Sequence, residues 1–337
     1  MPAIDERDCT AAIDPDRFLE EIARPCRPIV LRGLVRHWPI VAAGAESPDA
    51  LATYLRRWDK GIELEGFVGP PEIEGRYYYT DDLAGFNFER RRMRFGDGLA
   101  LLTAARDEQS PTVYLGSLPV DTYLPGLSAD NPLALPRHPA GGGRIWLGHA
   151  ARVSTHYDTM DNVACVVAGR RRFTLYPPEL IGDLYVGPVD HTMAGQPVSL
   201  AASAAAGDPR YPRFHAVADQ ALTAELAPGD ALYMPKLWWH QVESTAPVNA
   251  LLNFWWDPFA TGPDAPYAAM LLAMIAIADR PEGERRAWRA FFDHYAFRPD
   301  GHPLAHLPPE RHGILGPIKA NYGAIRARVM QMLRGGA

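Results

Sequence analysis

STHYDTMDNVACVVAGRRRFTLYPP (residues 154–178) is the stretch from which the rest of the chain can be read. Its short apolar runs, broken by Gly169 and closed by Pro177-Pro178, have strand character. Alternate side chains of a strand share a face. His156 and Asp158 therefore project into one space while Tyr157 points away. The same parity sets Arg171 with the apolar Phe173 and Leu175, facing inward, and turns Arg170 and Arg172 outward. An inward guanidinium needs a carboxylate partner, because a buried unpaired charge is very costly. That partner is either a protein carboxylate or a bound one.

A His-x-Asp pair alone says little, since the chain carries 11 histidines. The context downstream adds weight. ELAPGDALYMPKLWWHQVES (225–244) reads as a strand, a tight turn at Pro228-Gly229-Asp230, a second strand, and then His240 behind Trp238 and Trp239. Taken alone, His240 reads as a core histidine satisfied by the backbone. Taken with His156 and Asp158 it completes two nitrogens and one carboxylate. Such a facial triad leaves coordination positions open and suits non-haem Fe(II) and O₂ chemistry.

Working outward, residues 144–258 consist mostly of short strands separated by Gly/Pro turns, which predicts a sandwich or barrel. Upstream, DPDRFLEEIAR (14–24) predicts a helix capped by Asp14, and PIVLRGL (28–34) a buried strand ended by Gly33. A helix is expected over 48–58, an aromatic strand-like segment over 60–80, a solvated charge cluster at ERRRMR (89–94), a helix over 96–106 and a strand at 112–118. PRHPAGGGR (136–144) and AASAAAGDPRYP (201–212) read as loops. After Pro258 the pattern becomes helical: 267–278, 281–297 and 318–333. The first of these is apolar on most faces and is expected to be buried, against the barrel or against a second copy of the chain.

Bulk properties exclude several classes. The net charge of −6 gives no phosphate-seeking surface, so nucleic acid is not an expected partner. Cys9, Cys26 and Cys165 form neither a zinc pattern nor a disulfide framework and suit a reducing compartment. The N-terminus lacks the look of a secretory signal, and the longest apolar stretch, Tyr267 to Ala278, is too short to span a bilayer. A cytoplasmic protein with no membrane partner is expected.

The segments THYD (155–158), DN (161–162), AGRRRFTLYPP (168–178), PGDALYMP (228–235), WWHQVES (238–244) and NFWW (253–256) resemble, in this order, the jumonji C / cupin-8 family of Fe(II)- and 2-oxoglutarate-dependent oxygenases. This branch of the family includes the factor-inhibiting-HIF-type protein hydroxylases, and RPIVLRGLVRHWP (27–39), YYYTDDLAGFNF (77–88) and VYLGS (113–117) resemble the family's amino-terminal part. The resemblance implies a mainly β fold with added helices, built on a double-stranded β-helix, or jelly roll. It implies a catalytic domain over 1–258, with the core about 110–258 and an elaboration over 1–110. A helical region over 259–337 would then serve dimerisation. It implies Fe(II) held by His156, Asp158 and His240, with O₂ and 2-oxoglutarate as co-substrates. Arg171 stands where that branch usually has a lysine pairing with the distal carboxylate of 2-oxoglutarate. Tyr114, Asn162 and Asn253 match further residues of that pocket. Val153 departs from the Thr or Ser that many relatives carry. Trp238, Trp239 and Trp255 could wall the site or be ordinary core aromatics, and residues 77–88 could touch substrate or simply pack. The implied reaction is hydroxylation of a protein, peptide or small-molecule C–H bond with release of succinate and CO₂. A metallo-cupin enzyme that does not use 2-oxoglutarate, and a binding protein that has lost turnover, are the alternatives.

Overall fold

The alternation of short strands and turns folds into two sheets. The computed structural model describes every residue except 1–2, 10–12, 81, 106, 108, 134, 136–141, 191, 193–194, 261 and 336–337. Most of the loop expected at 136–144 therefore lies outside the described residues. The amino-terminal part supplies β1 (Asp5–Asp8), β2 (Ile29–Arg32), β3 (Glu63–Gly69), β4 (Arg76–Tyr77), β5 (Glu89–Arg94) and β6 (Thr112–Pro119). Eight more strands follow: β7 (Arg144–Gly148), β8 (Ala151–His156), β9 (Asp161–Ala168), β10 (Arg171–Tyr176), β11 (Leu222–Leu226), β12 (Ala231–Met234), β13 (Trp239–Ser244) and β14 (Asn249–Trp256).

These eight make the jelly roll. β12, β9, β14 and β7 pair antiparallel in one sheet, and β11, β10, β13 and β8 in the other. The amino-terminal strands extend both sheets. β1 and β2 continue beyond β12, β6, β3 and β5 continue beyond β7, and β4 lies beside β8. The charged β5 ends the larger sheet with only Met93 buried, and a charged edge resists further strand pairing.

Every residue of β9 is buried, which explains its unbroken apolar run. Val163, Cys165 and Val167 pack outward with Phe18, Ile22, Trp38, Ile40 and Leu55, while Ala164 and Val166 face Phe173, Leu175 and Leu232 in the second core. The segment carrying Phe18 differs from the single α-helix expected over 14–24. Asp14 does cap it, accepting from the N–H groups of Asp16 and Arg17. After one α turn (Pro15–Arg17), Phe18–Ala23 continues as a π-helix, closed by Arg24 N–H donating to Leu19 O. Pro48–Arg56 and Phe95–Thr103 form the other two expected helices.

The chain comprises two compact units, Met1–Pro258 and Phe259–Ala337. The second contains helices Pro266–Ile277, Glu282–Phe292 and Ile318–Gly335. The first of these, expected to be buried, is not buried within its own unit. None of its residues is buried, and Met270, Leu271, Leu272, Met274 and Ile275 are exposed. Among the described residues no helix is long and apolar enough to cross a membrane.

Candidate metal centre

β8 ends at His156 and β13 carries His240 as its second residue. The antiparallel pairing sets the two directly opposite each other, with ring centroids 4.3 Å apart. Asp158 lies two residues beyond His156, where its carboxylate is 3.8 Å from His240 Nε2. One ligand atom from each of the three lies within 4.8 Å of the others. His156 Nδ1 lies 2.8 Å from Ser154 O, and His240 Nδ1 lies 3.0 Å from Trp238 O. A carbonyl only accepts, so both Nδ1 atoms carry the proton and both Nε2 atoms are left with a free lone pair. Burial, reinforced by the adjacent His156, pushes the His240 imidazole down to about 4. It is therefore neutral near pH 7, the form that can ligate a metal.

The carboxylate is held from behind. Asp158 Oδ2 accepts from Trp255 Nε1 at 3.1 Å and from Asn162 Nδ2 at 3.4 Å. Asn162 Oδ1 accepts from Asn253 Nδ2 at 3.1 Å, and Asn253 Oδ1 accepts from Trp146 Nε1 at 2.7 Å. The turn that delivers His240 is tied to the same segment. Leu237 N–H donates to Asp158 O at 2.8 Å, and Lys236 N–H donates to Asp161 Oδ1 at 3.1 Å. Asp161, itself buried, also accepts from Tyr233 OH and faces Lys236 Nζ at 3.3 Å.

Arg171 lies on β10 and is 2% exposed, as deep as Phe173, whereas Arg170 and Arg172 are not buried. Its guanidinium interacts with the buried Tyr114 hydroxyl. Nε and one terminal nitrogen, Nη2, have no hydrogen-bond partner, and among the described residues no carboxylate pairs with it. A cavity of about 180 Å³ joins this guanidinium to the three ligands, walled by Phe67, Tyr77, Phe88, Trp146 and Trp255. The donor set, with both Nε2 atoms free, is consistent with Fe(II), and the orphaned guanidinium fits a carboxylate-bearing co-substrate.

Residues 15–262 match the cupin-like domain family over about three quarters of the chain. The chain belongs to the cupin-like, jumonji C family. Jumonji C domain-containing protein 5 of Drosophila melanogaster is 28% identical, over 71% of this chain and 58% of its own length. The human bifunctional peptidase and (3S)-lysyl hydroxylase JMJD7 is 28% identical, over 72% of this chain and 81% of its own. The lysine-specific demethylase JMJ31 of Arabidopsis thaliana is 35% identical, over 34% of this chain and 20% of its own. The chain thus spans less than two thirds of two of these three relatives.

Within this jumonji C site, only Trp255 of the three tryptophans expected near the ligands lines the cavity. Trp239 stacks edge-on against Tyr157, and Trp238 Nε1 donates to Cys26 O. The sequence pattern does not single out Trp146, Asp161 or Lys236. The only signal for Asp161 is its place beside Asn162, and Trp146 shares strand parity with Gly148 and Arg144. Val153 lines the cavity with an apolar side chain, and the neighbouring Ser154 hydroxyl is turned to Tyr77 O. From the 77–88 segment, Tyr77 and Phe88 line the cavity, while Tyr79 packs with Val198 and Phe86 in a separate cluster.

Proposed function

We propose that this chain is an Fe(II)- and 2-oxoglutarate-dependent dioxygenase that hydroxylates a C–H bond of a protein or peptide side chain, or of a small molecule, with release of succinate and CO₂. The observation that carries this reading is Arg171, a buried guanidinium with unpartnered donors opening onto the His156–Asp158–His240 cluster. When bound, iron with 2-oxoglutarate and O₂ supplies the oxidising power for the C–H bond. His156 and His240 would ligate through Nε2 and Asp158 through its carboxylate. Trp255 and Asn162 keep that carboxylate oriented. Arg171 and Tyr114 would receive the distal carboxylate of 2-oxoglutarate, the guanidinium through two parallel N–H donors. Asn162 and Asn253 flank that space while bonded to each other. The aromatic walls exclude water from the reacting centre.

The human relative named a lysyl hydroxylase supports hydroxylation as the outcome, as does the resemblance of residues 144–256 to a branch that includes factor-inhibiting-HIF-type protein hydroxylases. The Arabidopsis relative named a demethylase keeps the neighbouring outcome in view. A homodimer formed through the carboxy-terminal helices belongs to the same proposal. It is supported by the uncovered apolar side chains of Pro266–Ile277, since extended exposed apolar patches mark interaction surfaces. A reducing, cytoplasmic setting is supported by three free cysteines, and the net charge of −6 gives no reason to add a nucleic-acid partner.

The deciding experiment is succinate formation from 2-oxoglutarate with Fe(II) and O₂, abolished in His156→Ala. Metal binding with no 2-oxoglutarate binding would favour a metallo-cupin of another reaction class. Binding of both with no turnover toward any peptide or metabolite would favour a binding protein.

A further inference from the structure

Arg144 opens β7, whose side chains alternate between the outer core and the pocket. Ile145 and Leu147 enter the outer core, so Arg144 and Trp146 share the opposite face, and Trp146 lines the cavity. Across the sheet Arg144 is paired with Asn253, another lining residue. One terminal nitrogen, Nη1, donates to Ser117 O at 2.8 Å and to Ser117 Oγ at 3.0 Å. Ser117 lines the cavity and sits in the left-handed region (φ 57°) where the β6–β7 register shifts. The guanidinium carbon lies 5.5 Å from the Trp255 ring, whose N–H donates to Asp158. Arg144 is thus one indole away from the metal ligands, fixed in place by one nitrogen and the ring. The side chain is half-buried, and among the described residues its other N–H groups make no hydrogen bond and no carboxylate pairs with it.

The lining itself carries few charges, Arg171 and Asp158 among them. Among the described residues the only carboxylate facing the cavity is Asp158. Asp158 belongs to the metal ligand set, so a substrate ammonium or guanidinium finds ring faces but no free carboxylate, and the Arg144 charge behind Ser117 and Trp255 opposes it. An anion meets the reverse situation.

Resting on the hydroxylase reading above, we propose that Arg144 is a specificity-determining residue that docks a substrate carboxylate, and that the substrate carries an uncharged apolar or aromatic group on the metal side of that carboxylate. This sets the chain apart from a relative whose name specifies a lysyl substrate. The carboxylate belongs to a free acid or to an acidic side chain of a peptide, and the two sources are separated by the probes.

The test is calorimetric titration of Mn(II)-loaded full-length protein, saturated with 2-oxoglutarate so that Arg171 is engaged. The probes are N-acetylphenylalanine, its primary amide, N-acetyl-aspartyl-phenylalanine amide and N-acetyllysine amide. One of the two carboxylate probes binds about ten- to a hundredfold more tightly than the phenylalanine amide, the range of a charge-assisted hydrogen-bonded pair. The lysine probe does not bind. Arg144→Gln removes the preference while keeping 2-oxoglutarate affinity, and Arg144→Lys, which keeps the charge without the planar fork, retains part of it. Equal binding of acid and amide, a preference that survives Arg144→Gln, tighter binding of the lysine probe, or no binding of either carboxylate overturns the proposal. Repeating the titration on Arg171→Gln without 2-oxoglutarate separates the two readings. If only the co-substrate reading is wrong, the Arg144-dependent preference persists there.

Discussion

Replacing Arg171 by methionine separates a buried charge kept for a ligand from one kept for the fold. The guanidinium is 2% exposed, and among the described residues two of its nitrogens have no partner. Burial alone lowers its affinity for a proton, and Tyr114 offsets only part of that. Each unsatisfied buried donor costs about 1–3 kcal/mol, more when charged. Methionine fills a similar length without polar atoms, though it loses some packing and the Tyr114 contact. A net gain of roughly 1–3 kcal/mol is expected, by analogy with buried ionic groups replaced by apolar ones. For a unit of this size that raises the melting temperature by about 2–4 °C per kcal/mol. Affinity for 2-oxoglutarate moves the other way. Loss of two charge-assisted hydrogen bonds costs on the order of 3 kcal/mol, or about a hundredfold in Kd. Scanning calorimetry of the metal-free, ligand-free proteins gives the first quantity, and titration of the Mn(II)-loaded proteins with 2-oxoglutarate the second. A variant that melts lower than wild type and binds 2-oxoglutarate unchanged would show Arg171 to be structural, and the co-substrate assignment would fall with it.

Asp161→Ala should cost about 2–4 kcal/mol in denaturant unfolding, because it strands the Lys236 N–H and the Tyr233 hydroxyl. It should also weaken metal binding about tenfold by loosening the turn that delivers His240; unchanged metal affinity would limit Asp161 to stability. His240 is held at about 4 against 6.5 unfolded, so between those values the unfolded chain binds the extra proton and the folded one does not. The metal-free protein should therefore lose stability relative to His240→Leu as pH falls from 6.5 to 4, with parallel behaviour above 6.5. Constant separation of the two curves across that window would contradict the burial argument. Ile275, 78% exposed, is the most uncovered apolar residue of its helix, and Ile275→Glu should convert a dimeric mass in light scattering to a monomeric one. A monomeric wild type would refute the dimer.

Strand parity is the part of this architecture open to inspection in the sequence. A period of two needs no knowledge of partners, so the inward turn of Arg171 comes from spacing alone, whereas Asp158 joins His156 from beyond the end of β8, where parity no longer applies. Parity fails across an irregular turn. Leu237 sits at φ 69°, which resets the direction of the next side chains, and so Trp238 and Trp239 flank a ligand without facing the pocket. Parity also says nothing about register. Asn162 and Asn253 can be named as pocket residues, but their mutual hydrogen bond, and Trp255 reaching Asp158, depend on how β9 pairs with β14. That pairing shifts between Ala250 and Leu251, an irregularity with no mark in the composition of either strand. Periodicity likewise cannot say which body covers an apolar helix, and the unit that contains Pro266–Ile277 does not bury it.

The chain's net charge of −6 hides the sign of its pocket. Arg171 lines the cavity and Arg144 lies behind its lining residues Ser117 and Trp255; among the described residues neither pairs with a protein carboxylate, and the only carboxylate facing the cavity belongs to the metal ligand set. Net charge governs solubility and long-range attraction, whereas a half-enclosed aromatic cavity responds to the few charges that face it. Arg171 is the costly one, buried with two unpartnered nitrogens, whereas Arg144 is half-buried and bonded to Ser117; in the proposals above a dicarboxylate passes Tyr114 to reach Arg171 and a second carboxylate stops at Arg144. The two affinities should then be separable by mutation, each guanidinium governing one anion and leaving the other within about twofold, because Arg171 meets Tyr114 and Arg144 meets Ser117 and Trp255, with no shared partner. Strong mutual interference between the two substitutions would mean that both arginines serve a single anion, and the pocket would have to be redrawn around one ligand.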